Sequence, residues 1–281
     1  MTAKLKYYLL LPSFFILFGI LVFPLCYSFI LAFHTYQLTN PALGWQYEGL
    51  NNFLKGVSDP LFQNALFRTI QFTFPAVTLE FLIGFGLALL LNMELKGTRV
   101  MQSVLLIPMM ISTIVIGLTW RFMLHPEFGV INYLLGIQYS WLETGNRAMM
   151  TLILTDTWEW VPLTMLLMLA GLKSLPVEPF ESAKIDGAST FQTFRYLTLP
   201  MLRSAIVVTI MLRLIDAFRE YDKVYVLTQG GPGQSTELLT FYVYRVGFAY
   251  FHMGYASALS YLYLIIMAAL ALVTISALGR R

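Results

Sequence analysis

The stretch Glu181-Ser182-Ala183-Lys184-Ile185-Asp186-Gly187-Ala188-Ser189, which runs on to Leu197-Thr198-Leu199-Pro200, is a polar and charged segment between long apolar runs. The chain has 281 residues, of which 58% are hydrophobic and only 12% are charged. Because soluble domains usually carry about 25% charged residues, this composition indicates lipid as the main solvent and excludes an ordinary soluble protein. The polar stretch therefore indicates a docking surface for another protein on one side of a membrane.

About six apolar runs are long enough to cross a bilayer, whose hydrocarbon core of roughly 30 Å needs about 20 apolar residues in a helix. The first run is too long for a signal peptide and lacks a small-residue cleavage site, so we interpret it as a retained helix. The runs predict an all-α, polytopic membrane protein with a single transmembrane domain over residues 1–281. They cover about residues 8–33, 65–91, 104–123 and 149–172, a fifth run from about 205, and a sixth over about 256–278.

The placement of lysine and arginine predicts the orientation of these helices, because positive charges near helix ends stay on the cytoplasmic side during insertion. With the amino terminus inside, the outer side holds mainly Lys55, Arg147, Lys223 and Arg245. We therefore expect both termini and the stretch around Gly187 to be cytoplasmic in a protein of the cell membrane. The cations of the inner side are Lys4, Lys6, Lys96, Arg99, Lys173, Lys184, Arg195, Arg203, Arg280 and Arg281.

Local chemistry predicts two short helices in the polar stretch. Prolines stop the fourth apolar run from continuing, and residues 178–185 can form a helix whose first turn carries acidic side chains at the positive end of its dipole. Gly187 is expected to break this helix, since glycine readily adopts positive φ. Ser189 is a suitable cap for a second, amphipathic helix through about residue 196, and Pro200 predicts a bend before the fifth run.

This pattern resembles the EAA loop of the membrane subunits of bacterial ABC importers, in the version typical of the carbohydrate branch. The resemblance implies that the first short helix of a loop at about residues 174–203 sits in a groove of a cytoplasmic ATPase and transmits its closure to the membrane helices. The middle alanine of the family's Glu-Ala-Ala is Ser182 here, which keeps the side chain small. The positions assigned to ATPase coupling in this way are Glu181, Ser182, Ala183, Asp186, Gly187, Ala188 and Pro200.

The resemblance covers most of the chain and is strongest from about residue 150 onward. Residues 221–245, which include Gly230-Gly231-Pro232-Gly233, are similar to the outer end of the fifth helix in the maltose and glycerol-3-phosphate type of permease. Residues 156–172 are similar to its fourth helix. The resemblance implies the type I permease fold of ABC importers and four kinds of partner: a second homologous permease, two copies of an ABC ATPase, an extracytoplasmic solute-binding protein and a carbohydrate solute.

The chain lacks the signals of an enzyme or a cofactor site. The glycine-rich stretch at 230–233 is not followed by Gly-Lys-Ser/Thr, so it is no P-loop, and ATP and magnesium are expected on the partner ATPase alone. The three histidines lack ligand spacing, and a formal net charge of +3 is too small to indicate nucleic acid. Cys26, the one cysteine, excludes an intrachain disulfide and is expected to be a buried thiol.

Candidate solute contacts are the ionisable residues at membrane depth, which usually face cavities or partners. Arg213, Asp216 and Glu220 have the spacing of one helical face on the fifth run, and Glu159 and Trp160 share a face of the fourth. Carboxylates, a guanidinium and an indole ring suit a polyhydroxylated solute. Arg213 and Asp216 alternatively pair with each other or with a partner permease, and Trp160 alternatively belongs to an interfacial aromatic belt.

The sequence thus favours the permease subunit of an ABC importer for a sugar, polyol or related carbohydrate, which works by alternating access. One alternative is a self-contained secondary transporter that uses intramembrane carboxylates such as Glu80 and Asp216, although about six spans and the lack of an internal repeat are unusual for that class. Glu80 is expected to be buried with a polar partner rather than to relay protons. An intramembrane enzyme lacks an evident nucleophile–base pair or set of metal ligands.

Overall fold

The computed structural model describes residues 3–40, 42, 44–93 and 96–279, and the described chain is mostly helical, as predicted. Arg280 and Arg281 of the predicted inner side lie outside the described residues. Two short antiparallel strands, β1 (His34–Thr35) and β2 (Gln46–Tyr47), pair His34 with Tyr47. The α-helices are α1 (Ala3–Leu17), α2 (Phe23–Ala32), α3 (Asn51–Ser58), α4 (Pro60–Leu91), α5 (Thr98–Leu105), α6 (Thr113–Met123), α7 (Val130–Leu135), α8 (Gly145–Lys173), α9 (Glu178–Ile185), α10 (Thr190–Thr193), α11 (Leu199–Met201), α12 (Arg203–Phe218), α13 (Leu239–Tyr244) and α14 (Met253–Gly279).

Four helical segments of the described chain are long and apolar enough to cross a membrane. The first joins α1 and α2 through a π-helical turn at Phe18–Val22 and spans Leu10–Ala32, and the others are Pro60–Leu91, Gly145–Lys173 and Met253–Thr274. A fifth candidate is a bent pair, Thr190–Met201 and Arg203–Phe218, in which the helix axis bends by 65° between the two parts. These segments match five of the six predicted runs.

The third predicted run is not one continuous helix. α5 ends at Leu105, a 3₁₀ turn occupies Pro108–Met110, and Ser112 is extended before α6 begins. Pro108 lacks the amide donor that a continuing helix needs, and the apolar composition of the run concealed this break. α6 alone has 11 residues, fewer than a full crossing requires.

Cys26 is exposed in this chain, so the expectation of a buried thiol is wrong. In α2 only Leu31 and Ala32 are buried, because the first membrane segment packs little of its surface against the rest of the described chain.

The chain divides into two compact units, and the first comprises Met1–Asn64 and Tyr242–Ile266. Within it, the carboxylate of Asp59 accepts hydrogen bonds from the hydroxyls of Tyr242 at 2.6 Å and Tyr255 at 2.7 Å. The other carboxylate oxygen accepts from the amide of Leu61 at 2.9 Å and so caps the start of α4. One side chain thus joins the start of α4 to α13 and α14.

Asp59 also gives this unit a pH dependence. Burial raises the pKa of its carboxyl, but hydrogen bonds from the two tyrosines and from the amides of Leu61 and Phe62 outweigh burial, so the pKa lies below its ordinary value of 3.8. A carboxyl whose pKa is lower in the folded state than in the unfolded state stabilises the fold at pH values above its unfolded-state pKa. This contribution is lost as the pH falls through the folded-state pKa.

We expect Asp59→Asn to lower the free energy of unfolding by about 1.5 kcal/mol at pH 7, the low end for hydrogen bonds to a charged group, because the carboxyl is half-buried. The difference from wild type should shrink below about pH 4. Thermal unfolding in detergent between pH 3 and pH 7 measures both effects. Glu48→Gln is the control, since its carboxylate accepts a hydrogen bond from the exposed Asn51 amide at 3.0 Å. A pH-independent deficit for Asp59→Asn would contradict the assignment.

The second unit comprises Ala65–Phe241 and Met267–Arg281. Two apolar clusters hold α4, α8 and α12 together, one around Phe72, Leu152 and Leu214 and the other around Phe85, Met165 and Leu202. The helices approach closely at Gly84, where an added Cβ would lie 2.8 Å from the Thr164 side chain. Along α4, Glu80 lies between Phe72 of one cluster and Phe85 of the other, and along α8 Asp156 and Glu159 lie between Leu152 and Met165. These polar side chains are buried inside the unit.

Candidate functional site

The polar stretch forms the predicted first helix with the predicted boundaries, as α9, Glu178–Ile185. Gly187 follows with φ of +73°. The amide of Ala188 donates to the carbonyl of Ala183 at 2.9 Å and the amide of Gly187 donates to that of Lys184 at 3.2 Å. This is a Schellman motif, whose turn residue is left-handed and is therefore usually glycine.

Ser189 caps the second helix, as predicted. Its hydroxyl accepts from the amide of Gln192 at 3.3 Å, and the Gln192 side chain accepts from the amide of Ser189 at 2.7 Å, which makes a complete capping box. The helix that follows is less regular than predicted, because α10 passes through a π-helical turn, Phe194–Thr198, into α11. The predicted bend at Pro200 is confirmed, since α12 turns away directly after α11.

Four large apolar side chains of this stretch are exposed: Val177 (63%), Ile185 (86%), Phe191 (68%) and Tyr196 (68%). We call them the loop surface. Of the predicted coupling residues, Ala183 and Ala188 are half-buried, and the exposed ones are Glu181, Ser182, Asp186, Gly187 and Pro200. Exposed apolar side chains among charged ones make this stretch a candidate surface for another protein.

The stretch packs against the membrane helices. Phe194 stacks on Phe85 of α4, with ring centroids 6.0 Å apart. Leu202, only 1% exposed, packs beside Gly171 of α8, where an added Cβ would meet its side chain at 3.1 Å. These contacts pack the chain that follows α9 against α4 and α8.

A second feature is a cluster of buried ion pairs between α4, α8 and α12. The Arg213 guanidinium donates to Glu80 at 2.7 and 3.1 Å, to Asp216 at 2.5 Å and to Asp156 at 3.4 Å. The side chains of Glu80 and Arg213 are 0% and 2% exposed. The expectation that Glu80 is buried with a polar partner is confirmed.

Lys223 forms the other half of this cluster. Its ammonium lies 2.7 Å from Asp156, 2.6 Å from Glu159 and 2.8 Å from Glu220. The Thr113 hydroxyl of α6 donates to the second oxygen of Glu159 at 2.9 Å. Asp156 thus joins the two cations. We call Glu80, Asp156, Glu159, Arg213, Asp216, Glu220 and Lys223 the charge cluster.

Asp216 is the exposed member of the charge cluster, with 51% of its side chain accessible. Trp160 is half-buried, and its ring centroid lies 4.5 Å from the guanidinium carbon of Arg213, a cation–π contact. The pairing of Arg213 with Asp216, one of the two alternatives left open by the sequence, is present within this chain.

The structure corrects the predicted polar face of the fifth run. α12 ends at Phe218, so Glu220 does not continue the helical face of Arg213 and Asp216; it turns to Lys223 and is buried. Glu159 is likewise held by Lys223 rather than open to solvent. From the sequence, Lys223 is expected only as an outer-side cation, although its position three residues after Glu220 is a recognised ion-pair spacing.

Comparisons with known proteins agree on the kind of molecule. The family model described as binding-protein-dependent transport system inner membrane component matches residues 80–280. The trehalose/maltose transport system permease protein MalF of Thermococcus litoralis is 37% identical over 270 residues, covering 92% of this chain and 88% of that protein. The arabinooligosaccharides transport system permease protein AraP of Bacillus subtilis is 33% identical over 238 residues, covering 82% and 76%.

The fold has a counterpart among solved structures. A chain of a bacterial ABC transporter involved in the import of the acidic polysaccharide alginate superposes with a TM-score of 0.84, at 22% identity, over 99% of this chain and 96% of that one. At this identity the match shows the fold alone, which is that of an ABC importer permease. The chain belongs to the binding-protein-dependent transport system inner membrane components, which are the membrane-spanning permease subunits of ABC importers.

Proposed function

We propose that this permease imports a sugar, polyol or related carbohydrate, and that a separate ATPase drives it through α9 and the loop surface. The observation that carries the proposal is the loop surface itself, four exposed apolar side chains on a stretch that is packed firmly against α4 and α8. The names of the MalF and AraP relatives support a carbohydrate as the solute.

The energy source in this proposal lies on partner chains. Two copies of a cytoplasmic ABC ATPase hold ATP and magnesium, and one of them receives α9 in a groove. When the ATPase subunits close, α9 moves with them, and the Schellman turn at Gly187 keeps the direction of the chain into α10 fixed. The packing of Phe194 and Leu202 passes this movement to the membrane helices, which then exchange an outward for an inward opening.

The solute meets a surface that this chain forms together with a second homologous permease. Of the predicted solute contacts in this chain, Asp216 and Trp160 are exposed enough to touch the solute. The carboxylate accepts hydrogen bonds from hydroxyls, and the indole offers an apolar face. Arg213 is buried and positions both of them, whereas the buried carboxylates of Glu159 and Glu220 hold Lys223. An extracytoplasmic binding protein delivers the solute to the outer side.

Membership of this family favours an ATP-driven permease over a self-contained secondary transporter. The carboxylates named for the alternative, Glu80 and Asp216, are both paired with Arg213.

The test is purification of the tagged chain from its native membranes in mild detergent, followed by mass spectrometry of its partners and by reconstitution into proteoliposomes. We expect an ABC ATPase and a second permease to copurify, and uptake of at least one radiolabelled carbohydrate to require ATP and the binding protein. Recovery of the chain without an ATPase, or uptake driven by an ion gradient alone, would overturn the proposal.

A further inference from the structure

The charge cluster has an unequal number of acids and bases. It holds five carboxylates and two cations, a formal excess of three negative charges, and six of its seven side chains are at most 8% exposed. Buried charges are poorly screened by water and salt, so their sum acts over a longer range than surface charges do. Even two protons bound within the cluster leave this sum negative.

Asp216 brings that negative charge to an accessible surface. It lies in α12, part of the bent membrane-spanning pair, and 51% of its side chain is accessible in this chain. A carboxylate at this depth is not stable against hydrocarbon, so it faces either water or a partner subunit. Its oxygen that contacts Arg213 is fixed at 2.5 Å, which orients the group rather than neutralising it, since Arg213 is shared with Glu80 and Asp156.

We propose that the charge cluster sets the charge selectivity of this permease: uncharged carbohydrates pass, and sugars that carry a carboxylate are rejected. This inference rests on the proposed function and narrows its solute class. A hydroxyl group donates a hydrogen bond to Asp216, whereas a carboxylate has no proton to donate and is repelled by the cluster. Rejection therefore comes from like charge in a poorly screened site, and a neutral solute avoids it.

The test uses the permease–ATPase complex without the binding protein, because the binding protein has a selectivity of its own. The probes are pairs that differ only at C6, D-glucose with D-glucuronate and D-galactose with D-galacturonate, together with α-linked disaccharides that contain one such ring. Saturation-transfer NMR suits the weak binding expected of such small probes. We expect the neutral member of each pair that binds to be favoured at least tenfold.

Two variants address the cluster directly. Asp216→Asn keeps an oxygen for Arg213 and should reduce the preference at least fivefold by strengthening uronate binding. Glu220→Gln also removes one negative charge, but at a buried position, so it should reduce the preference by a smaller factor. Two variants keep the test informative if one of them folds poorly. Glu143→Gln, on the surface beside Arg147, is the control and should leave the preference unchanged.

The outcomes separate this inference from the proposed function. Equal binding of neutral and acidic probes, or an unchanged preference in Asp216→Asn, would overturn the charge selectivity and leave carbohydrate import in place. Loss of the second permease from Asp216→Asn preparations would also overturn it, since Asp216 would then seal an interface. Failure of every carbohydrate to bind or to be taken up would overturn both.

Discussion

Replacing Gly187 by valine is expected to reduce solute uptake at least tenfold while the chain still inserts and still copurifies with an ATPase. Gly187 has φ of +73°, where a β-branched residue is strained by about 1–2 kcal/mol. The strain disturbs the Schellman turn that fixes α9 relative to α10. An added Cβ at Gly187 meets nothing within 4 Å in this chain, so internal clashes do not contribute. Uptake and ATP hydrolysis measured side by side in proteoliposomes should show hydrolysis without transport.

Gly136→Val is the matched control for this variant. Gly136 has φ of +64°, ends a short helix, α7, and also has no atom within 4 Å of an added Cβ. The two variants therefore carry similar local strain, and we expect similar small losses of thermal stability. Only Gly187→Val should uncouple ATP hydrolysis from uptake. Equal uptake by the two variants would show that the turn at Gly187 has no special part in coupling.

The largest loss of stability is expected from Arg213→Met. This change leaves Glu80 and part of Asp156 buried without their cation, and breaking a buried ion pair in this way costs about 3–5 kcal/mol. The midpoint of thermal unfolding in detergent should fall clearly, and less protein should accumulate in the membrane. Arg147→Met is the control, because Arg147 is 40% exposed and pairs with Glu143 at 3.7 Å and with the ring of Tyr139 at 4.4 Å. Such exposed contacts contribute about 0.5–1 kcal/mol each.

The double variant Arg213→Met with Glu80→Met separates charge from packing. It removes both members of the buried pair and replaces them with apolar side chains, which is often nearly neutral in energy. Asp156 keeps Lys223 as a partner, and Asp216 is accessible to water. We therefore expect the double variant to recover most of the stability lost by Arg213→Met. No recovery would mean that the shape of Arg213, rather than its charge, holds the helices together.

The local structure of the polar stretch could be predicted from the sequence because short-range chemistry decides it. Acidic residues in the first turn, glycine at the turn and Ser189 with Gln192 each act on neighbours within five residues. α9 accordingly has the predicted boundaries, and the bend lies beside Pro200. The apolar runs were predictable for the same kind of reason, since hydrocarbon thickness sets their length.

The charge cluster could be predicted only in part because its partners are distant in sequence. Arg213 and Glu80 are 133 residues apart, and Lys223 and Glu159 are 64 apart. The spacing along one helix predicts the pair Arg213 and Asp216. The same spacing wrongly predicts that the helix continues through Glu220, whereas α12 ends at Phe218. The break near Pro108 was missed because the apolar composition continues through it.

The most direct test of the coupling account is site-specific photo-crosslinking from Ile185, the most exposed member of the loop surface at 86%. The variant Ile185→p-benzoylphenylalanine is irradiated in native membranes, and the adduct is identified by mass spectrometry. Tyr133→p-benzoylphenylalanine, at an 84% exposed site of α7 predicted to lie on the outer side, is the control. The account predicts an adduct with an ABC ATPase from position 185 and none from position 133. An ATPase adduct missing at 185, or equal at both positions, would contradict it.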